Sequence, residues 1–252
     1  MAAADPLFEY LLGLGDNCLI LGHRVSEWCG HGPILEEDLA LANVALDLLG
    51  QAKLWLGLAA EVEAGGRDAD KLAFLRDARA FRNFLLVEQK NGDFAVTMTR
   101  QFFFDGWHYL LLQGLQASAD ARIAEIAGKA KKEVAYHLER SRDWMVRLGD
   151  GTEESHRRVQ KAVDLLWSYT GEMFEADGVD GALVQSSIAV APDSLHPPWL
   201  ALVSATLDEA TLKQPEPGWM QRGGRAGLHS EHLGYLLAEM QFLQRAYPGA
   251  AW

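Results

Sequence analysis

The stretch Leu41-Ala42-Asn43-Val44-Ala45-Leu46-Asp47-Leu48-Leu49-Gly50-Gln51-Ala52 decides the fold class. Its apolar residues recur at spacings of three and four, which is the period of a helix and not of a strand. The helix it predicts runs from about Leu35 to Glu63. Glu36-Glu37-Asp38 sit at the amino end, where the helix dipole favours negative charge, and Gly65-Gly66 close the other end. The same period recurs almost everywhere else, so the chain reads as all-α.

Working outward, a first helix starts near Asp5-Pro6 and stops at Cys29-Gly30-His31-Gly32-Pro33. A shorter helix is expected around Asp70–Ala80, and long ones at Phe94–Gln116 and Asp120–Leu148. Further helices are expected at Glu153–Phe174, His196–Leu212 and His229–Ala246, with loops at Gly178–Asp193 and Gln214–Gly227. Two pairs of long helices joined by an extended middle connection predict a four-helix bundle with flanking helices, in a single domain over residues 1–252.

The 252 residues include 49% hydrophobic and 23% charged residues and carry a net charge of −12. Such an acidic chain argues against a nucleic-acid-binding face. Cys18 and Cys29 are too few for a disulfide framework, so a reducing cytoplasm is expected. No basic-then-apolar leader is seen, and even the most apolar helix holds Asp47 and Lys53, so neither secretion nor membrane spanning is expected.

In a bundle, polar residues on faces that should be apolar are the informative ones, because a buried carboxylate needs a partner, a metal or a proton. Asp16-Asn17 interrupts the first helix, and Asn43, Asp47 and Gln51 form an i, i+4, i+8 line on the second. Asp105 with His108, and Glu133 with Tyr136 and His137, do the same in the two later long helices. One carboxylate from each of two helices and a Glu-x-x-His pair from each of the others would make a di-iron site.

The spacing breaks that pattern. Asp47-Leu48-Leu49-Gly50 has no imidazole, Glu133-Val134-Ala135-Tyr136 offers a phenol, and His137 comes one residue late. Asp105-x-x-His108 has the right spacing on a helix that normally supplies a single carboxylate. The positions Asp16, Asp47, Gly50, Asp105, Glu133, Tyr136 and His137 therefore read as a vestigial metal site, with Lys132, Arg140 or Arg100 pairing the leftover acids. No metal ligand and no catalytic residue is assigned to this chain.

The sequence resembles the PaaC family, whose members are structural components of ring-1,2-phenylacetyl-CoA epoxidases. The likeness lies in Leu14-Gly15-Asp16-Asn17-Cys18-Leu19, Glu27-Trp28-Cys29-Gly30-His31, Asp38-Leu39-Ala40-Leu41-Ala42-Asn43 and Leu46-Asp47-Leu48-Leu49-Gly50-Gln51-Ala52. It continues through Leu86-Val87-Glu88-Gln89, Glu133 with Tyr136-His137-Leu138, and Gly227-Leu228-His229-Ser230-Glu231-His232-Leu233-Gly234. The resemblance implies a ferritin-like fold and a supporting role in aerobic phenylacetate catabolism. It also implies a homologous A subunit that holds the di-iron centre and epoxidises phenylacetyl-CoA, together with a small B subunit and a reductase.

Three arginines, Arg76, Arg79 and Arg82, fall at i, i+3 and i+6 around Ala80 and Phe81, on one side if that stretch is helical. Guanidinium groups suit the phosphates of coenzyme A, and Phe81 could stack on its adenine. The alternative is a solvated face pairing with Asp70 or Asp77. The loop at Asp180-Gly181-Ala182 and the segment Arg222-Gly223-Gly224-Arg225 are weaker anion candidates.

The aromatic run Phe102–Phe104 with Trp107 is expected in the core, or in part against the A subunit. Isolated chains are expected to form a homodimer through the face the A subunit uses. The competing expectation is an active di-iron oxygenase built on Asp16, Asp47, Asp105, His108, Glu133 and His137. A ferritin-like storage protein is a third, disfavoured by the broken ligand set.

Overall fold

The computed structural model describes residues 5–250. Its helices are α1 (Pro6–Ser26), α2 (Leu35–Glu63), α3 (Ala69–Phe74), α4 (Phe94–Leu115) and α5 (Ala121–Gly149). They continue with α6 (Glu153–Leu166), α7 (Asp180–Gln185), α8 (His196–Glu209), α9 (Glu231–Met240) and α10 (Phe242–Ala246). Every regular element among the described residues is helical, which is the all-α, ferritin-like class expected. Two compact units are distinguished: Met1–Lys90 with Gly223–Trp252, and Asn91–Arg222.

In the first unit, α1 starts at Asp5, whose side chain accepts from the Leu7 N–H at 2.9 Å. Glycines bring α1 close to α2. A Cβ at Gly15 would lie 2.7 Å from the Leu56 side chain, and one at Gly22 would press on Leu48 and Leu49. The contacts step down α2 as they step up α1, so the two helices run antiparallel. α2 is the one described helix long and apolar enough to cross a membrane, and it packs here along α1.

The expected helix over Asp70–Ala80 is broken. α3 ends at Phe74 and a 3₁₀ turn follows at Ala78–Ala80, because the Arg76 side chain turns inward and binds the carbonyls of Leu72 and Ala80. Residues 81–89 then run as a buried strap without regular helix. The expected helix over His229–Ala246 is split at Gln241, whose side-chain amide donates to the carbonyls of Ala73 (3.1 Å) and Arg76 (2.9 Å).

In the second unit, Asp93 and Asp120 cap α4 and α5, and a reciprocal Thr152–Ser155 capping box starts α6. The expected helix over Glu153–Phe174 ends at Leu166 and gives way to 3₁₀ turns at Trp167–Tyr169 and Gly171–Phe174. The core is aromatic. Phe103 packs on Trp167 and Trp199 with ring centroids 5.7 and 5.9 Å away, and Phe174 lies 5.0 Å from Trp199. Two of the buried indoles have acceptors: Trp199 donates to the Phe103 carbonyl (2.9 Å) and Trp107 to that of Met173 (3.1 Å). Phe102, Phe103, Phe104 and Trp107 are all buried here, so the aromatic run is core and offers no face to a partner.

Candidate functional site

Asp16 and Asn17, the polar break in α1, hold the strap of residues 81–89. A buried strap must place its backbone polar groups. The Arg82 N–H donates to Asp16 Oδ2 at 2.8 Å and the Phe84 N–H to Asn17 Oδ1 at 2.8 Å. Arg76 faces Asp16 with both guanidinium arms, Nη1 reaching Oδ2 at 3.0 Å and Nη2 pairing with Oδ1. Both residues are buried, and the pair is bidentate and charge-assisted. The cation that neutralises Asp16 is thus Arg76, sixty positions on, and not Lys132, Arg140 or Arg100 as expected.

A second buried acid anchors the other end of the strap. Glu88 accepts from the Ser230 N–H (2.6 Å) and the Asn83 side-chain amide (3.1 Å), and its Oε2 lies 2.9 Å from His229 Nδ1. His229 Nε2 is 3.1 Å from the Phe81 carbonyl, and Arg24 donates to the Glu88 and His232 carbonyls. Glu88, His229 and Ser230 have structural roles that the sequence did not assign. Their only signal was their place in two of the quoted motifs, Leu86–Gln89 and Gly227–Gly234. The glycines of the anion candidate at 222–225 serve packing: a Cβ at Gly224 would lie 2.2 Å from the Asn83 carbonyl.

The arginines expected to meet phosphate are largely committed within the first unit. Arg76 is buried against Asp16, and its guanidinium covers the Phe81 ring at 4.3 Å, so the buried Phe81 presents no face for an adenine. Arg82 pairs with Glu9 at 2.7 Å and donates to the carbonyls of Arg79 and Phe81. Arg79 is exposed beside the half-buried Ala80. Because the stretch is not one helix, the three do not form a single basic side. Asp180 belongs to the other unit. It is buried and accepts from the Asp177 N–H at 2.9 Å, closing its own turn, while Gly181 and Ala182 stand exposed at the start of the six-residue α7.

The vestigial positions divide between the units. In the first, Asp47 is half-buried, and Gly50 is exposed with nothing within 4 Å of an added Cβ. In the second, α4 and α5 bring Asp105, His108, His137 and Ser141 into one buried cluster. Asp105 Oδ2 accepts from the Ser141 hydroxyl at 2.8 Å. Burial pushes the Asp105 carboxyl up to about 6, against the opposing pull of His137, the Ser141 bond, Arg140 and Arg100. Burial, aided by His137, pushes His108 down to about 3. Tyr136, expected on the ligand face, is 53% exposed and Glu133 is half-buried, so the inward residue on this turn of α5 is His137.

These residues do not fit a di-iron centre. Asp16 has both oxygens engaged by Arg76 and the Arg82 amide, Gly50 supplies no donor, and Tyr136 points to solvent. The positive charge felt by Asp105 comes from guanidinium and imidazole groups. Among the described residues, no three or more His, Cys, Asp or Glu side chains gather as a metal-binding group.

The profile of the phenylacetic acid catabolic protein family matches residues 1–252. The C component of the 1,2-phenylacetyl-CoA epoxidase of Escherichia coli (strain K12) is 54% identical over 248 residues, which is 98% of this chain and all of that protein. A match of that breadth, on a chain whose described elements are all helical, means that the protein belongs to the phenylacetic acid catabolic protein family.

Proposed function

We propose that this chain is a non-catalytic structural subunit of a phenylacetyl-CoA 1,2-epoxidase, the ring-epoxidising monooxygenase complex of aerobic phenylacetate catabolism. It pairs in the cytoplasm with an A subunit that holds the di-iron centre, in a complex that also draws on a B subunit and a reductase. The observation that carries this role is the Arg76–Asp16 pair: a guanidinium takes both oxygens of an acid that a metal site would need. The similarity to the C component of a 1,2-phenylacetyl-CoA epoxidase supports this choice of assembly and substrate class. The chain itself then needs no cofactor. Its contribution to the coenzyme A handle of the substrate rests on Arg79, the most exposed arginine of the three.

Turnover of phenylacetyl-CoA by the isolated chain, by the A subunit and by their mixture tests this role. The expected result is no turnover by the isolated chain with iron and reductant, and turnover by the mixture even when this chain carries Asp105→Asn. A second reading, an oxygenase with an altered ligand set, draws on the burial of Asp105 and His108 on α4 and of His137 on α5. Turnover by the chain alone that is abolished by Asp105→Asn would establish it instead.

A further inference from the structure

Buried side-chain amides elsewhere in this chain donate to fixed acceptors. Asn17 donates to the Gly13 carbonyl at 2.9 Å, Gln89 to the Leu85 carbonyl at 2.8 Å, and Gln241 to the carbonyls of Ala73 and Arg76. Gln101 on α4 is the exception. It is 1% exposed, and among the described residues it alone leaves both ends of a buried amide, Nε2 and Oε1, without a hydrogen-bond partner. An amide taken out of water loses its hydrogen bonds unless something replaces them, so orphaned amide atoms on a core helix call for a ligand.

One turn along α4, on the same side, Asp105 has a deficit of its own. Its Oδ2 accepts from the Ser141 hydroxyl at 2.8 Å, while its buried Oδ1 has no partner. Residues four apart on a helix are neighbours, with Cβ atoms about 5–6 Å apart, near enough for glutamine and aspartate to bond directly. They do not bond here, since both amide ends and Oδ1 are unpartnered. Two adjacent polar side chains, each lacking what one bridging molecule would supply, define a polar site in the interior.

The groups present select the occupant. Gln101 Nε2 offers hydrogens, which a cation cannot use, and the charge already acting on Asp105 from His137, Arg140 and Arg100 is positive. An anion would meet the Asp105 carboxylate. The occupant is therefore neutral, donates and accepts at once, and is small enough to sit between adjacent turns of one helix. We propose that Gln101 and Asp105 hold one buried water, which accepts from Gln101 Nε2 and donates to Asp105 Oδ1. Water reverses its roles freely, so a proton on Asp105 leaves the bridge intact: the acid donates to the water and the water donates to Gln101 Oε1. The assignment stands on α4 alone and is independent of the structural-subunit role.

A high-resolution crystal structure of the full chain tests it without any variant. The expected result is a density peak at hydrogen-bonding distance from both Gln101 Nε2 and Asp105 Oδ1. Magnetic relaxation dispersion of the water oxygen, which counts long-lived internal waters, gives a second readout in solution. Gln101→Met, close in shape and verified as folded by far-UV circular dichroism, should lower that count by about one per chain. Asp105→Asn, which keeps an acceptor, should leave it unchanged. A Gln101 amide bonded directly to Asp105 Oδ1 with no peak between them, or an unchanged count in Gln101→Met, would overturn the water and leave the structural-subunit role standing. Anomalous scattering from iron at that peak would overturn both.

Discussion

Asp16 in the first unit and Asp105 in the second are both fully buried acids on long core helices, and they are accommodated in opposite ways. Asp16 meets a bidentate guanidinium and a backbone amide. Asp105 has one hydroxyl donor and more distant cations, so burial wins and its carboxyl rises to about 6. The contrast teaches that a buried acid needs a full set of donors to remain a stable carboxylate. With only part of the set, it moves toward holding a proton.

The largest effect should come from breaking the complete pair. Arg76→Met leaves Asp16 buried without its cation, and urea unfolding should show a loss of about 3–5 kcal/mol. The double variant Asp16→Leu with Arg76→Met should recover most of it, since an apolar pair of similar volume avoids the unpaired charge.

The incomplete site makes a prediction of intermediate size. Asp105 titrates higher in the folded chain than its ordinary value near 3.9, so between about pH 4 and 6 the folded state holds the extra proton and stability falls as pH rises. His108 works the other way. Its folded value of about 3 lies below the ordinary 6.5, so between about pH 6.5 and 3 the unfolded state takes the proton and stability falls as pH drops. Asp105→Asn removes the first effect and keeps an acceptor for Ser141. It should stabilise the chain at pH 7 by up to about 3 kcal/mol and steepen the loss between pH 6 and 4 in thermal melts.

The smallest effect belongs to a half-exposed counterpart of the Asp16 pair. Arg82 and Glu9 are bonded at 2.7 Å with 26% and 19% of their side chains exposed, where water screens the charge. Glu9→Gln should cost no more than about 1 kcal/mol in the same unfolding assay. A cost near that of Arg76→Met would dissolve the distinction between buried and screened pairs.

The long helices were legible because their signals are local. Period, caps and glycine stops placed α2 at its observed bounds and set α4 and α5 to within a residue or two. Elements built by distant partners were not. The break after Phe74 depends on Arg76 finding Asp16, and the break at Gln241 on carbonyls of Ala73 and Arg76. Neither leaves a periodic trace.

The candidate site was half legible for the same reason. Spacing showed that Gly50 and Tyr136 could not supply imidazoles. It could not show that Arg76, read as a surface phosphate contact, was the counter-charge of Asp16. It also misjudged His137, which counts as one residue late in a strict Glu-x-x-His pattern but is the residue α5 turns inward.

Iron content of the purified chain, expressed with iron supplementation and without the A subunit, tests the central claim most directly. With Asp16 held by Arg76 and no imidazole at Gly50 or Tyr136, elemental analysis should find iron far below one atom per chain, and the Arg76→Met variant should gain none. Two irons per chain, lost on Asp105→Asn, would contradict the account.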